Sequence, residues 1–177
     1  MNTHQNFPLE ELSIQDLFNQ EGNTKYEIPI YQRNYAWENE EITALVNDVW
    51  DAYCQSKGTY FIGTLVTYDR GDNRYEVIDG QQRLTTLYLI LKSLDCEVKS
   101  KLTYRSRKRS NDTINKLPIQ EKDNPDLGIL RGFKVVENAI NEIVGTENKE
   151  NFTKYLLAQV HIIHYRVPRD VNLNHYF

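Results

Sequence analysis

Residues 74–94 constrain this chain more than any other stretch. Residues 74–78 read as a strand, which runs directly into Asp79-Gly80-Gln81-Gln82-Arg83. A helix then begins, with Leu84, Leu87, Tyr88, Leu91 and Leu94 on one face. The backbone must turn sharply from strand to helix, and Gly80 lets it. A helix opening leaves backbone N–H groups unsatisfied and carries partial positive charge, so it attracts phosphate. Arg83 adds a fixed charge whose fork matches phosphate oxygens. Asp79, at the strand end, could hold a divalent cation or orient a water. The plainer alternative is that Asp79 caps the helix and Arg83 pairs with a surface carboxylate.

The rest of the chain supplies partners for this unit. A strand over 60–67 forms a β-hairpin with 74–78 around Asp69-Arg70-Gly71-Asp72-Asn73. A short helix over 13–20 starts at Ser13 with Asp16 in a capping arrangement, and Gly22 stops it. Lys25–Ile28 is a strand ended by Pro29. A helix over 38–55 opens on Glu38, Glu40 and Glu41 and buries Ile42, Leu45, Val49 and Tyr53. Helices over 127–144 and 151–157 follow, the first ended by Gly145, and then a strand over Val160–Val167. Residues 1–12 are polar with scattered apolar side chains, and 110–126 read as a loop with one helical turn. No internal repeat, linker or boundary appears, so 1–177 is expected to be one domain.

Composition narrows the class. The chain has 177 residues, 40% of them apolar, with a net charge of -4 and 12 tyrosines. The charge argues against coating by nucleic acid, though not against a local basic stripe. No apolar run approaches the roughly 18 residues of a membrane span, and residues 1–6 do not resemble a secretory signal. Two cysteines cannot make a disulfide framework, so the expected compartment is the reducing cytoplasm. The chain stops at Asn174-His175-Tyr176-Phe177, straight after a strand-like run, and is expected to be the front portion of a longer protein.

A second cluster lies at Ile28-Pro29-Ile30-Tyr31-Gln32-Arg33-Asn34-Tyr35-Ala36-Trp37. Arg33 follows a proline in an ordered-looking loop, and Tyr35 and Trp37 could stack on a base. Alternatively the aromatics close the core and Arg33 packs across them. Three weaker signals have plain readings. His161 and His164 fall on opposite faces of a strand, which disfavours a shared metal. Cys54 and Cys96 lack a base partner and read as inert thiols. The basic run 99–109 could contact DNA phosphates but reads more simply as a solvated hairpin or loop.

Together, "IPIYQRNYAW", a helix carrying Leu45 and Asp48, "YFIGTLV" and "YEVIDGQQRLTTLYLIL" resemble, in order and spacing, the N-terminal domain of GmrSD-type modification-dependent restriction enzymes. The resemblance covers about residues 9–177 and is strongest from 26 to 95. It implies an α+β, ParB/sulfiredoxin-like fold: a small mixed sheet packed with several helices. It also implies binding and hydrolysis of a nucleoside triphosphate with a divalent metal such as Mg²⁺, coupled to restriction of modified phage DNA. Carried over, the catalytic positions are Asp79, Gln81, Gln82 and Arg83, with Asp79 also the metal ligand. The nucleotide-binding positions are Gln32, Arg33, Tyr35, Trp37, Gly63 and Gly80. Family members continue into a helical region and many carry a His-Asn-His-type nuclease, so a C-terminal or partner nuclease domain is implied. The competing class is a non-catalytic switch that grips a nucleotide or DNA and signals by conformation.

Overall fold

The computed structural model describes residues 9–19 and 23–168. Gly22 and the final segment through Phe177 lie outside the described residues, as do the expectations that rest on them.

The centre of the fold is the hairpin of β3 (Tyr60–Gly71) and β4 (Arg74–Asp79). Its two-residue turn is Asp72-Asn73, with φ of 54° and 60°. Asp and Asn tolerate the left-handed region, and such a turn matches the twist of the strands it joins. Around this hairpin a six-stranded mixed sheet assembles in the order β1-β6-β3-β4-β2-β5. Here β1 is Leu9–Ser13, β2 Lys25–Ile28, β5 Lys101–Tyr104 and β6 Val160–Val167. β6 is antiparallel to β1 and parallel to β3, while β4, β2 and β5 run parallel to one another.

Among the described residues six α-helices accompany the sheet: α1 Ile14–Phe18, α2 Asn39–Cys54, α3 Gln81–Ser93, α4 Lys108–Asn115, α5 Leu127–Ala139 and α6 Lys149–Gln159. The α+β architecture, a mixed sheet packed with helices, is as expected. α5 packs against both α2 and α3, and α1 and α2 also meet α6. The buried core joins Ile14, Leu17 and Phe18 of α1 to Leu65 of β3 and to Leu84 and Leu87 of α3.

Three elements differ from the sequence expectation. β1 falls where residues 1–12 read only as polar with scattered apolar side chains; it is a sheet edge with only Leu12 buried. Its polar side chains find partners on β6, with Glu10 on Arg166 and Glu11 on His161. α4 falls largely within 110–126, expected to be a loop with one helical turn, and carries no apolar stripe. Side-chain hydrogen bonds hold it: Ser110 donates to Asp126, and Asn111 bonds both the N–H and the carbonyl of Tyr104. The helix expected over 127–144 is α5 followed by a wider π-helical turn, Ile140–Val144, which ends at Gly145 with φ of +80°.

The parallel run β4-β2-β5 positions the candidate site. Because these strands point the same way, the segments after Asp79, Ile28 and Tyr104 leave one edge of the sheet together. That edge is where open α/β sheets bind ligands.

Candidate functional site

Gly80 is the N-cap of α3, with φ of +95°. A Cβ there would stand 3.0 Å from the carbonyl oxygen of Thr64, so the junction needs glycine for both conformation and space. No side chain caps the helix, and its first turn contains no acidic residue. Asp79 is exposed and makes no side-chain hydrogen bond among the described residues, so it does not cap α3. The helix opening is therefore electropositive and unsatisfied by side chains.

The 29–37 loop is fastened to this opening. Gln32 Nε2 donates to the Ile78 carbonyl at 2.9 Å, and Gln81 Nε2 donates to Gln32 Oε1 at 2.9 Å. Gln82 is buried and spends both ends of its amide on the loop backbone. Its Oε1 accepts from the Ala36 N–H at 2.8 Å, and its Nε2 donates to the Asn34 carbonyl at 3.0 Å. The bond between Gln32 and Ile78 fastens the loop one residue before Arg33 to the strand one residue before Asp79. Arg33 is exposed and has no ion pair among the described residues.

Arg83 is seated over Gly63. Gly63 has φ of +134°, and a Cβ there would stand 2.9 Å from the Arg83 Cζ. The guanidinium forms no ion pair or hydrogen bond among the described residues. It faces a cleft that also contains Trp37. Tyr35 instead takes the core alternative: it is 4% exposed, and its hydroxyl shares a hydrogen bond of 2.8 Å with Thr86. Burial pushes its phenol well above the usual tyrosine range.

A family model describing the GmrSD restriction endonuclease, N-terminal domain, matches residues 14–176. The chain belongs to this family. No curated protein matches it.

In this GmrSD N-terminal domain, several residues that sequence reasoning missed build the site. Arg107 Nη2 donates to the Ile30 carbonyl at 3.1 Å and also to that of Gln32, so it grips the loop from the side opposite α3. Its neighbours Lys99, Lys101, Arg105, Lys108 and Arg109 are exposed. Gly128 and Gly132 of α5 make room for Tyr35: a Cβ would stand 2.8 Å from its carbonyl oxygen or 2.5 Å from its ring. Two glycines four apart on a helix face were the signal available for that seat. Tyr31 donates to the buried Glu76 at 2.7 Å, and Glu76 also pairs with Arg70.

The weaker candidates separate. His161 bonds Glu11, while His164 is buried against Thr67, so the two imidazoles share no ligand geometry. Cys96 is half-buried, and burial together with Asp95 raises its thiol pKa. No group of three or more metal-ligating side chains is found among the described residues. No helix among them is long and apolar enough to cross a membrane.

Proposed function

We propose that this domain binds a nucleoside triphosphate at the opening of α3 and hydrolyses it with a divalent metal ion, Mg²⁺ by chemistry. We place this activity in the cytoplasm, within a restriction system that acts on modified DNA through a nuclease domain or partner. The observation that carries the reading is Arg83, an unpaired cation held over Gly63 beside an uncapped, electropositive helix opening.

Phosphoryl transfer asks a protein mainly for positioning and positive charge. Arg83 and the first N–H groups of α3 would hold the phosphates, with Arg33 adding charge from the loop. Gly80 lets the backbone come close. Asp79 offers one exposed, uncommitted carboxylate, which fits Mg²⁺, an ion usually held by one or two carboxylates alongside substrate phosphates. When bound, the ion would neutralise phosphate charge. Gln81 remains available to orient a water if it releases Gln32, whereas Gln82 holds the loop. The exposed cations around Lys108 are proposed to meet DNA phosphates in the assembled system.

The same glutamine bonds favour a second reading. They tie the loop position to the helix opening, as a nucleotide-controlled switch without turnover would require. Phosphate release with each triphosphate and Mg²⁺, beside direct binding, separates the two in the intact restriction protein. Arg83→Ala is expected to weaken binding by roughly 10–150-fold, and both it and Asp79→Ala to abolish turnover, with the fold retained by circular dichroism. Full turnover in either variant refutes the hydrolytic reading; tight binding without turnover in the wild type favours the switch.

A further inference from the structure

Residues 99–134 carry ten Lys and Arg against four Asp and Glu, in a chain whose net charge is -4. The cations are gathered, and a cleft opens among them. It lies between α4 and residues 119–125 and encloses about 380 Å³, within the roughly 300–1,000 Å³ of small-molecule sites. Lys108, Arg109, Asp112, Thr113 and Lys116 recur at helical spacing, so one face of α4 forms a wall. Ile119, Asp123, Asn124 and Pro125 line the other side. A neighbouring hollow shares Lys116, Ile119 and Asp123 and adds Lys122, so the cations continue past the cleft. None of these residues belongs to the α3 opening.

The carboxylates of the cleft are already engaged. Asp112 pairs with Lys108, and that bond, with the charge of Lys116, lowers its pKa. Asp123 accepts the Gln120 N–H at 3.3 Å and closes a short 3₁₀ turn. Arg109 is exposed and forms no ion pair or side-chain hydrogen bond among the described residues. The rim is therefore positive on balance, and the Arg109 fork suits phosphate oxygens. The floor differs. Thr113 and Pro125 are buried and Ile119 half-buried. Thr113 spends its hydroxyl on the Arg109 carbonyl and the Asp126 N–H, so what remains of it is a methyl group. A paired base stays stacked inside a duplex, whose convex outside would bring phosphates to the rim and nothing to an apolar floor. An unpaired nucleotide brings phosphate to the one and the flat face of a base to the other.

We propose that the α4 cleft seats one unpaired nucleotide of a DNA strand, its base on Ile119 and Pro125 and its flanking phosphates on Arg109 and Lys116. This rests on the proposed meeting of the cations around Lys108 with DNA, and it assigns the form of DNA that they meet.

Fluorescence anisotropy on the full chain compares a short labelled oligothymidylate with the same strand paired to its complement. The single strand should bind roughly tenfold more tightly than the duplex at low salt. Ile119→Ala trims the floor and should weaken the single strand by roughly fivefold and the duplex hardly at all. Arg109→Ala and Lys116→Ala change exposed side chains, so the fold does not depend on them. Each should take about 0.7 from the slope of log affinity against log salt for the single strand. Thermal melts verify that the variants fold. Equal affinity for the two forms, or strand affinity unchanged in a folded Ile119→Ala, overturns the inference and leaves a plain contact with backbone phosphates. Salt slopes unchanged in both cation variants place the strand elsewhere and also overturn it. Thymidine monophosphate that binds as tightly as the strand makes the cleft a site for free nucleotides, with the same consequence. If neither form of DNA binds, the proposed DNA contact falls and this inference with it, while the phosphate site at α3 stands.

Discussion

Replacing Gly63 by alanine tests the seat of Arg83 through two separable effects. Gly63 lies inside β3, where the β3–β6 ladder shifts register between Phe61 and Thr64. Its φ of +134° is closed to ordinary side chains, and holding alanine there costs about 1–3 kcal/mol. For a domain of this size that lowers Tm by roughly 2–12 °C. The new methyl would also stand 2.9 Å from the Arg83 Cζ. The guanidinium is the far end of a flexible side chain, so it moves aside at little cost to stability, but it leaves its position. Losing a charge-assisted pair with phosphate costs about 1.5–3 kcal/mol, or roughly 10–150-fold in affinity. The expected result is that Gly63→Ala weakens tripolyphosphate binding about as much as Arg83→Ala. In the double variant the Tm losses should add, because backbone strain does not depend on Arg83, while the affinity losses should not. Calorimetric titration and thermal melts read both. A Gly63→Ala protein that melts lower yet binds with wild-type affinity refutes the reasoning, since Arg83 would then bind phosphate from elsewhere.

Two further perturbations follow from the same geometry. His164 is buried against Thr67 with Nδ1 unpartnered, and burial, with a smaller push from Arg166, lowers its pKa to about 4. The unfolded chain takes up this proton near pH 6.5 and the folded one only near 4, so stability is lost as pH falls through that window. The slope is about 1.4 kcal/mol per pH unit, and the whole loss roughly 3 kcal/mol. Urea unfolding at pH 7, 6 and 5 should show this slope and should show less of it in His164→Gln; an equal slope in the variant removes His164 as the cause. Gln82→Leu keeps the side-chain volume but strips partners from the Ala36 N–H and the Asn34 carbonyl. It is expected to cost about 1–3 kcal/mol and to speed amide exchange at 34–37 while α3 stays protected. Unchanged protection at Ala36 would show that the loop does not depend on Gln82.

Strong periodicity made most of the fold legible. α2, α3, the β3–β4 hairpin and β6 lie within a few residues of where apolar spacing put them, because each buries its own stripe against the core. β1 and α4 carry no such stripe. β1 is held by partners on β6, more than 140 residues away, and α4 by polar bonds to Tyr104 and Asp126. Neither kind of support leaves a local pattern. The site divides the same way. The strand-glycine-helix junction was readable because a change of period and a glycine are local facts. What each side chain does there was not. Tyr35 looked available to a base, yet glycines about a hundred residues later open a buried seat for it. Gln82 was expected among the catalytic positions, yet the loop backbone it holds occupies both ends of its amide.

Arg107 shows why a run of like charges is weak evidence until its members are separated. Within 99–109 the flanking lysines and arginines are exposed, as a surface that meets phosphate would be. Arg107 turns inward instead and grips the Ile30 and Gln32 carbonyls. Gln82 holds the same loop at Asn34 and Ala36, so the loop is clamped at both ends by elements leaving one sheet edge. Gln32 lies between the clamps and reaches back to the Ile78 carbonyl, one residue before Asp79. The segment after β5 is therefore joined to the opening of α3 by two consecutive hydrogen-bonded contacts, Arg107 to the Gln32 carbonyl and Gln32 Oε1 to Gln81. That is a direct hydrogen-bonded connection between the domain's basic surface and its candidate phosphate site. It runs through a side chain that the charge pattern had assigned to the surface.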